Sequence, residues 1–140
     1  MSNKAIISVI SEAIGEKDNK IELVTLGDFF KKDEKYYVVY DETEISGMKG
    51  TKTTFKIFPD KFSLIRMGTT NTKMDFEQNS MSMSLYNTPY GIIEIKIKTN
   101  ALDISVSDKG GNIIISYDMT IGSEKVQSTL LKVNIKVQVE

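Results

Sequence analysis

Arg66 is the only arginine among the eighteen basic residues of this sequence. Where lysine meets every general need for positive charge, a single guanidinium marks a place that requires its planar, weakly hydrated fork. In Lys61-Phe62-Ser63-Leu64-Ile65-Arg66-Met67-Gly68 it shares strand parity with Phe62 and Leu64. The opposite set, Ser63-Ile65-Met67, is nearly as apolar, so both orientations stay open. Turned inward, Arg66 needs a carboxylate, carbonyls or a ligand anion as its partner. An internal pair with Glu42 or another acid is the structural alternative to a ligand contact. Tyrosines supply further polar tips. Tyr117 lies on the face of Ile113, Ile115 and Met119, and Tyr40 shares parity with Tyr36 and Val38. Arginine and tyrosine inside an apolar enclosure can hold a carboxylate or phosphate head.

Residues 80–86, SMSMSLY, alternate serine with methionine. Met81 and Met83, with Met74 nearby in sequence, carry soft thioethers suited to Cu(I). No histidine or cysteine is present to complete such a site, and an i, i+2 pair is what any strand face presents. The expectation is core or cavity lining, with Met81, Met83 and Leu85 on one face and Ser82, Ser84 and Tyr86 on the other. The candidate ligand-binding set is thus Arg66, Tyr40, Glu42, Tyr86, Tyr117, Met83 and Met119, with no metal and no cofactor.

Other chemistry is excluded or weak. Without cysteine or histidine, the chain has no disulfide, thiolate nucleophile, zinc–cysteine site or imidazole base. Gly47-Met48-Lys49-Gly50-Thr51-Lys52-Thr53 lacks P-loop spacing, and a strand continues where a helix must begin. Asp41, Glu42 and Glu44 are acid–base candidates, Glu42 and Glu44 sharing a face, but a cluster at a strand end reads as a solvated loop entrance. An enzyme built on Asp, Glu, Lys or Tyr is the one catalytic class left, and no motif supports it. Lys96, Lys98, Lys132 and Lys136 form no nucleic-acid strip, since Glu94 interrupts them and no exposed aromatic platform accompanies them. Eighteen basic against nineteen acidic residues, evenly divided between the halves, call for neither nucleic acid nor an anionic membrane. The apolar run Ala5-Ile6-Ile7-Ser8-Val9-Ile10 is short for a signal peptide, acidic residues follow it, and no stretch approaches the roughly 20 apolar residues of a span. A soluble, cytoplasmic protein is expected.

The elements that must position these residues show a period of two. Ile93, Ile95 and Ile97 alternate with Glu94, Lys96 and Lys98, and Leu102, Ile104 and Val106 with Asp103, Ser105 and Ser107. Ile113, Ile115, Tyr117 and Met119 form a third apolar face, and Leu131, Val133, Ile135 and Val137 a fourth. Half-buried antiparallel strands produce this pattern. Asp108-Lys109-Gly110-Gly111-Asn112, Lys32-Asp33-Glu34 and Pro59-Asp60 supply turns, and Thr99-Asn100 reads as a tight link. Strands recurring every 8–12 residues or so suggest an all-β sandwich or barrel. A chain of 140 residues with no linker or repeat is one domain, 1–140. Only the N-terminal segment is ambiguous. Ile6, Val9, Ile10, Ala13 and Ile14 fall at helical spacing, while their β-branched density favours a strand.

Several short motifs carry a resemblance. Gly27-Asp28-Phe29, Tyr36-Tyr37-Val38-Val39-Tyr40-Asp41-Glu42, Ile65-Arg66-Met67-Gly68, Tyr86-Asn87-Thr88-Pro89-Tyr90-Gly91-Ile92-Ile93-Glu94 and Gly111-Asn112-Ile113-Ile114-Ile115-Ser116-Tyr117-Asp118-Met119 occur in that order. Together they resemble the YwiB-like family of uncharacterised bacterial proteins over nearly the whole chain. The resemblance implies a closed antiparallel up-and-down β-barrel of the calycin, lipocalin-like type, with roughly 8–10 strands. It also implies a strand at the N-terminus and a small cytoplasmic protein. Arg66, Tyr40, Glu42, Tyr86 and Tyr117 match motif positions to which no role is attached. Fatty-acid-binding barrels of similar architecture use Arg-x-Tyr on the last strand, which Lys132-Val133-Asn134-Ile135-Lys136 lacks. Two readings follow: a non-catalytic barrel holding a small, largely apolar ligand, with or without an anionic head, or a packed interaction or structural barrel.

Overall fold

Alternation becomes ten strands in the computed structural model, which describes residues 3–14, 20–44, 48–69, 71–88, 91–122 and 124–138. They are β1 (Asn3–Ala13), β2 (Lys20–Lys32), β3 (Lys35–Asp41), β4 (Lys52–Ile57) and β5 (Lys61–Met67). Then follow β6 (Thr72–Glu77), β7 (Met81–Thr88), β8 (Gly91–Ser107), β9 (Gly110–Ile121) and β10 (Glu124–Val137). All pairs are antiparallel, in the order β6-β5-β4-β3-β2-β1-β10-β9-β8-β7. Sequence neighbours pair throughout, except that β1 also joins β10 and β6 does not ladder with β7. The sheet curls until those two edges meet, giving a nearly closed up-and-down barrel.

The ambiguous N-terminal segment is a strand. Its inward positions Ala5, Ile7 and Ala13 are buried, and apolar Ile6 and Ile10 lie half-buried on the other face. Apolar residues on both faces are what imitated a helical period. Thr99-Asn100 is not a link between two strands but a β-bulge within the seventeen-residue β8. One extra residue there moves the inward set from Ile95 and Ile97 to Leu102 and Ile104, so the parity change in the sequence is the bulge itself. At the β2–β3 turn both Asp33 (φ 53°) and Glu34 (φ 65°) are left-handed, as a two-residue hairpin requires. Gly110 at φ 101° opens β9 with its backbone against the Ile135 carbonyl, where a Cβ has no room.

One end of the barrel is filled by side chains. Tyr40, Phe55, Phe62, Phe76 and Tyr117 contact one another in sequence, with ring centroids 4.9–6.0 Å apart. The last contact, Phe76 on β6 against Tyr117 on β9, joins the two halves of the barrel behind the β6–β7 seam. Ile7, Val38, Ile57, Ile113 and Ile135 are buried alongside this chain.

The serine–methionine alternation finds its explanation at that seam. Ser82 Oγ donates to the Asp75 carbonyl at 2.8 Å, and Ser84 Oγ donates to the Lys73 carbonyl. Side-chain hydroxyls of β7 thus stand in for the missing backbone ladder and reach edge acceptors of β6. Met81, Met83 and Leu85 consequently point outward, about 60% exposed. The expectation of inward methionines on this strand is corrected: closure needs hydrogen-bond donors on the inner side, and methionine has none. The double variant Ser82→Ala/Ser84→Ala should lower unfolding stability by about 1–2 kcal/mol, whereas Met83→Gln should change it by less than about 0.5 kcal/mol. Denaturant midpoints check this, and the reverse ranking would contradict the seam.

Candidate binding cavity

On β5, Phe62 and Leu64 are buried, and the same parity carries Arg66 to the interior while Met67 is exposed. Register places Arg66 opposite Thr53 of β4, which in turn faces Tyr40 of β3. Inward parity on β3 runs Val38, Tyr40 and then Glu42, just beyond the strand end at Asp41. Four polar side chains from neighbouring strands therefore converge. Glu42 Oε2 stands 3.8 Å from Arg66 Nε, with the carboxylate side chain 1% exposed and the arginine 24%. Thr53 Oγ1 donates to the same Oε2. Among the described residues Glu42 Oε1 and Arg66 Nε have no hydrogen-bond partner, nor does Thr72 Oγ1.

Above this cluster the interior is open. A lobe of about 190 Å³ is walled by Leu23, Phe55, Leu64 and Tyr117, with Tyr40 and Glu42 at its polar side. An adjoining lobe of about 320 Å³ is lined by Ile93, Ile95, Ile121, Thr72 and Ser84. Arg66, Met48, Met74 and Met119 border both. Two roomier grooves lie outside the barrel, at Phe58 with Lys56, Lys61, Asp75 and Glu77, and at Val24 with Glu44 and Lys49. The charges at the first are mixed and solvated; the second shares the buried Glu42 with the interior but lacks Arg66 among its described lining residues. The interior is the better candidate.

Burial pushes the Tyr40 hydroxyl well above the ordinary phenol range, and neighbouring Glu42 adds to the rise while Arg66 and Thr53 oppose it. Tyr117 is raised by burial as well, offset by its hydrogen bond with Thr129 and by Arg66. Both present neutral hydroxyls to the cavity at neutral pH. A tyrosine raised in the folded state contributes stability that is full below its unfolded pKa of about 10 and is lost as pH rises toward the folded value. In an alkaline absorbance titration, Tyr40 and Tyr117 should stay un-ionised until the protein unfolds, and Tyr40→Phe should flatten the alkaline loss of stability. Six tyrosines titrating together near pH 10, with the fold intact, would contradict this burial.

Of the residues singled out from sequence, the structure brings together Arg66, Glu42, Tyr40, Tyr117 and Met119. Met83 lies outside, for the reason given by the seam. The side chain of Tyr86 lies outside the described residues. Glu42 and Glu44 do not act together: Glu42 is buried, whereas Glu44 is exposed with Lys49 at 3.2 Å. The solvated loop entrance expected at residues 41–44 holds for Asp41 and Glu44 but not for Glu42. Thr53, Thr129, Met48 and Met74 were not visible as site residues in the sequence. Thr53 alone had a signal, its parity with Phe55 and Ile57.

The interior defines a class, a ten-stranded antiparallel barrel with a cavity at one end. Residues 6–133 match the family model described as a domain of unknown function (DUF1934), and the chain belongs to that family. It is similar to the uncharacterized beta-barrel protein YwiB of Bacillus subtilis (strain 168), 25% identical over 128 residues that make up 89% of each chain. The crystal structure of the ywiB protein from Bacillus subtilis shares the fold, with a TM-score of 0.79 at 21% identity, over 99% of this chain and 92% of that one.

Removing the cation from a buried pair leaves its carboxylate uncompensated. Arg66→Met should cost about 3 kcal/mol, and adding Glu42→Gln should restore most of it. Chemical denaturation of the two variants is the check; additive losses in the double variant would mean that the pair is not coupled.

Proposed function

We propose that this protein is a non-catalytic, cytoplasmic barrel of calycin type that holds a small, largely apolar molecule in its interior. One observation carries the reading: an apolar cavity in which the ion pair of Arg66 with Glu42 leaves buried polar atoms without partners among the described residues. Ligand sites combine apolar walls with a few convergent polar groups in this way. The polar end of the ligand lies at Arg66, where the lobes meet, and its apolar part lies against Ile93, Ile95 and Met119. Small antiparallel barrels have room for one such ligand. Lys132 and Lys136 on the exposed side of β10 set the outer surface apart from the apolar band of a membrane barrel. A second reading, a protein-interaction barrel, is favoured by the exposed strip Met81, Met83, Leu85 and Ile92.

Native mass spectrometry of freshly purified protein, compared with its denatured mass, should reveal a released adduct, and the emptied barrel should take up the neutral dye N-phenylnaphthylamine. Met119→Trp, which fills the shared wall, should reduce dye binding by about tenfold or more while the protein stays folded. A bare protein that ignores the dye, or a sharp hetero-complex in place of an adduct, would favour the interaction reading instead.

A further inference from the structure

We infer, on the reading that the cavity binds a ligand, that it accepts an uncharged head carrying an N–H donor beside a carbonyl acceptor, and that Glu42 sets this choice. Among the described residues Arg66 is the one cation lining either lobe, and taken alone it invites a carboxylate. Glu42 changes that. Its carboxylate stands 3.8 Å from the guanidinium and is almost wholly shielded from water, so the charge of Arg66 is already answered from within the chain. An anionic head drawn to Arg66 would meet Glu42 in a poorly screened interior, where like charges repel strongly. An ammonium head would pair with Glu42 but press against Arg66. Neither charge sign fits.

A carboxamide-type head fits both neighbours. Its carbonyl accepts from the guanidinium, and its N–H donates to Glu42 Oε1, the oxygen that has no partner among the described residues. Oε2 is already engaged by Thr53, and the Tyr40 hydroxyl interacts with the same carboxylate; together they fix it and leave Oε1 without a partner among the described residues. Glu42 lines the smaller lobe alone, whereas Arg66 borders both, so the donor points to the Tyr40 side and the chain runs toward Ile93 and Ile95. A site built to hydrogen-bond its ligand discriminates strongly against analogues that leave its buried groups unpaired. Glu42 is thus a specificity-determining residue: it selects against charge as well as for a donor.

The test is calorimetric titration of the whole protein, freed of any adduct, with octanamide, octanoate and octylamine at neutral pH. Octanamide should bind about tenfold or more tightly than either charged analogue. In Glu42→Gln the charge of Arg66 is no longer answered, and octanoate should gain about tenfold or more, erasing the preference. Octanoate binding the parent as tightly as octanamide would overturn the inference while leaving a binding barrel in place. Failure of all three, with dye binding retained, would likewise overturn the head-group assignment alone; failure of the dye as well removes the cavity reading. The parent comparison decides the matter by itself if Glu42→Gln does not fold.

Discussion

A carboxylate buried in an apolar interior needs a cation or several donors to answer it, and Glu42 is held by Arg66 and Thr53 together. That constraint organises one end of the barrel. It requires β3, β4 and β5 to be in register so that Glu42, Thr53 and Arg66 meet. The cavity lies where these polar groups face apolar walls, beside Phe55, Leu64 and Tyr117.

Ring packing and the polar cluster thus divide the work, and they meet at Tyr40, Phe55 and Tyr117, which line the cavity as well. Phe55, Phe62 and Phe76 link rings across three successive strands, and Phe76 carries the contact on to Tyr117. This packing supplies the apolar burial that a nearly closed sheet needs, at the level where the β6–β7 ladder is missing. Serine hydroxyls finish the closure. The result is a packed row of rings of which Tyr40, Phe55 and Tyr117 also wall an interior bordered by methionines, which adapt to irregular shapes.

Much of the fold was legible in the sequence because a period of two is a direct consequence of strand geometry. The faces of β9 and β10 follow from the alternation around Ile113–Tyr117 and Leu131–Val137 alone. Three features were not legible, each for a physical reason. The bulge at Thr99 and a tight turn leave the same one-residue shift in the pattern. The inward face of β7 is decided by a seam between strands that do not ladder, which no local alternation encodes. The burial of Glu42 depends on Arg66, twenty-four positions away, and only the pairing of β3 through β5 brings the two together. Arg66 itself stood out by its rarity, yet its orientation required the structure, since both faces of β5 are nearly equally apolar.

Methionine methyl NMR tests the central claim most directly, because this chain carries methionines on both sides of the barrel wall. With methyl-labelled methionine and octanamide as titrant, the signals of Met48, Met74 and Met119 should shift together and saturate, while those of Met67, Met81 and Met83 stay in place. Shifts confined to Met81 and Met83 would place the ligand on the outer face of the seam and contradict an interior site built on Arg66 and Glu42.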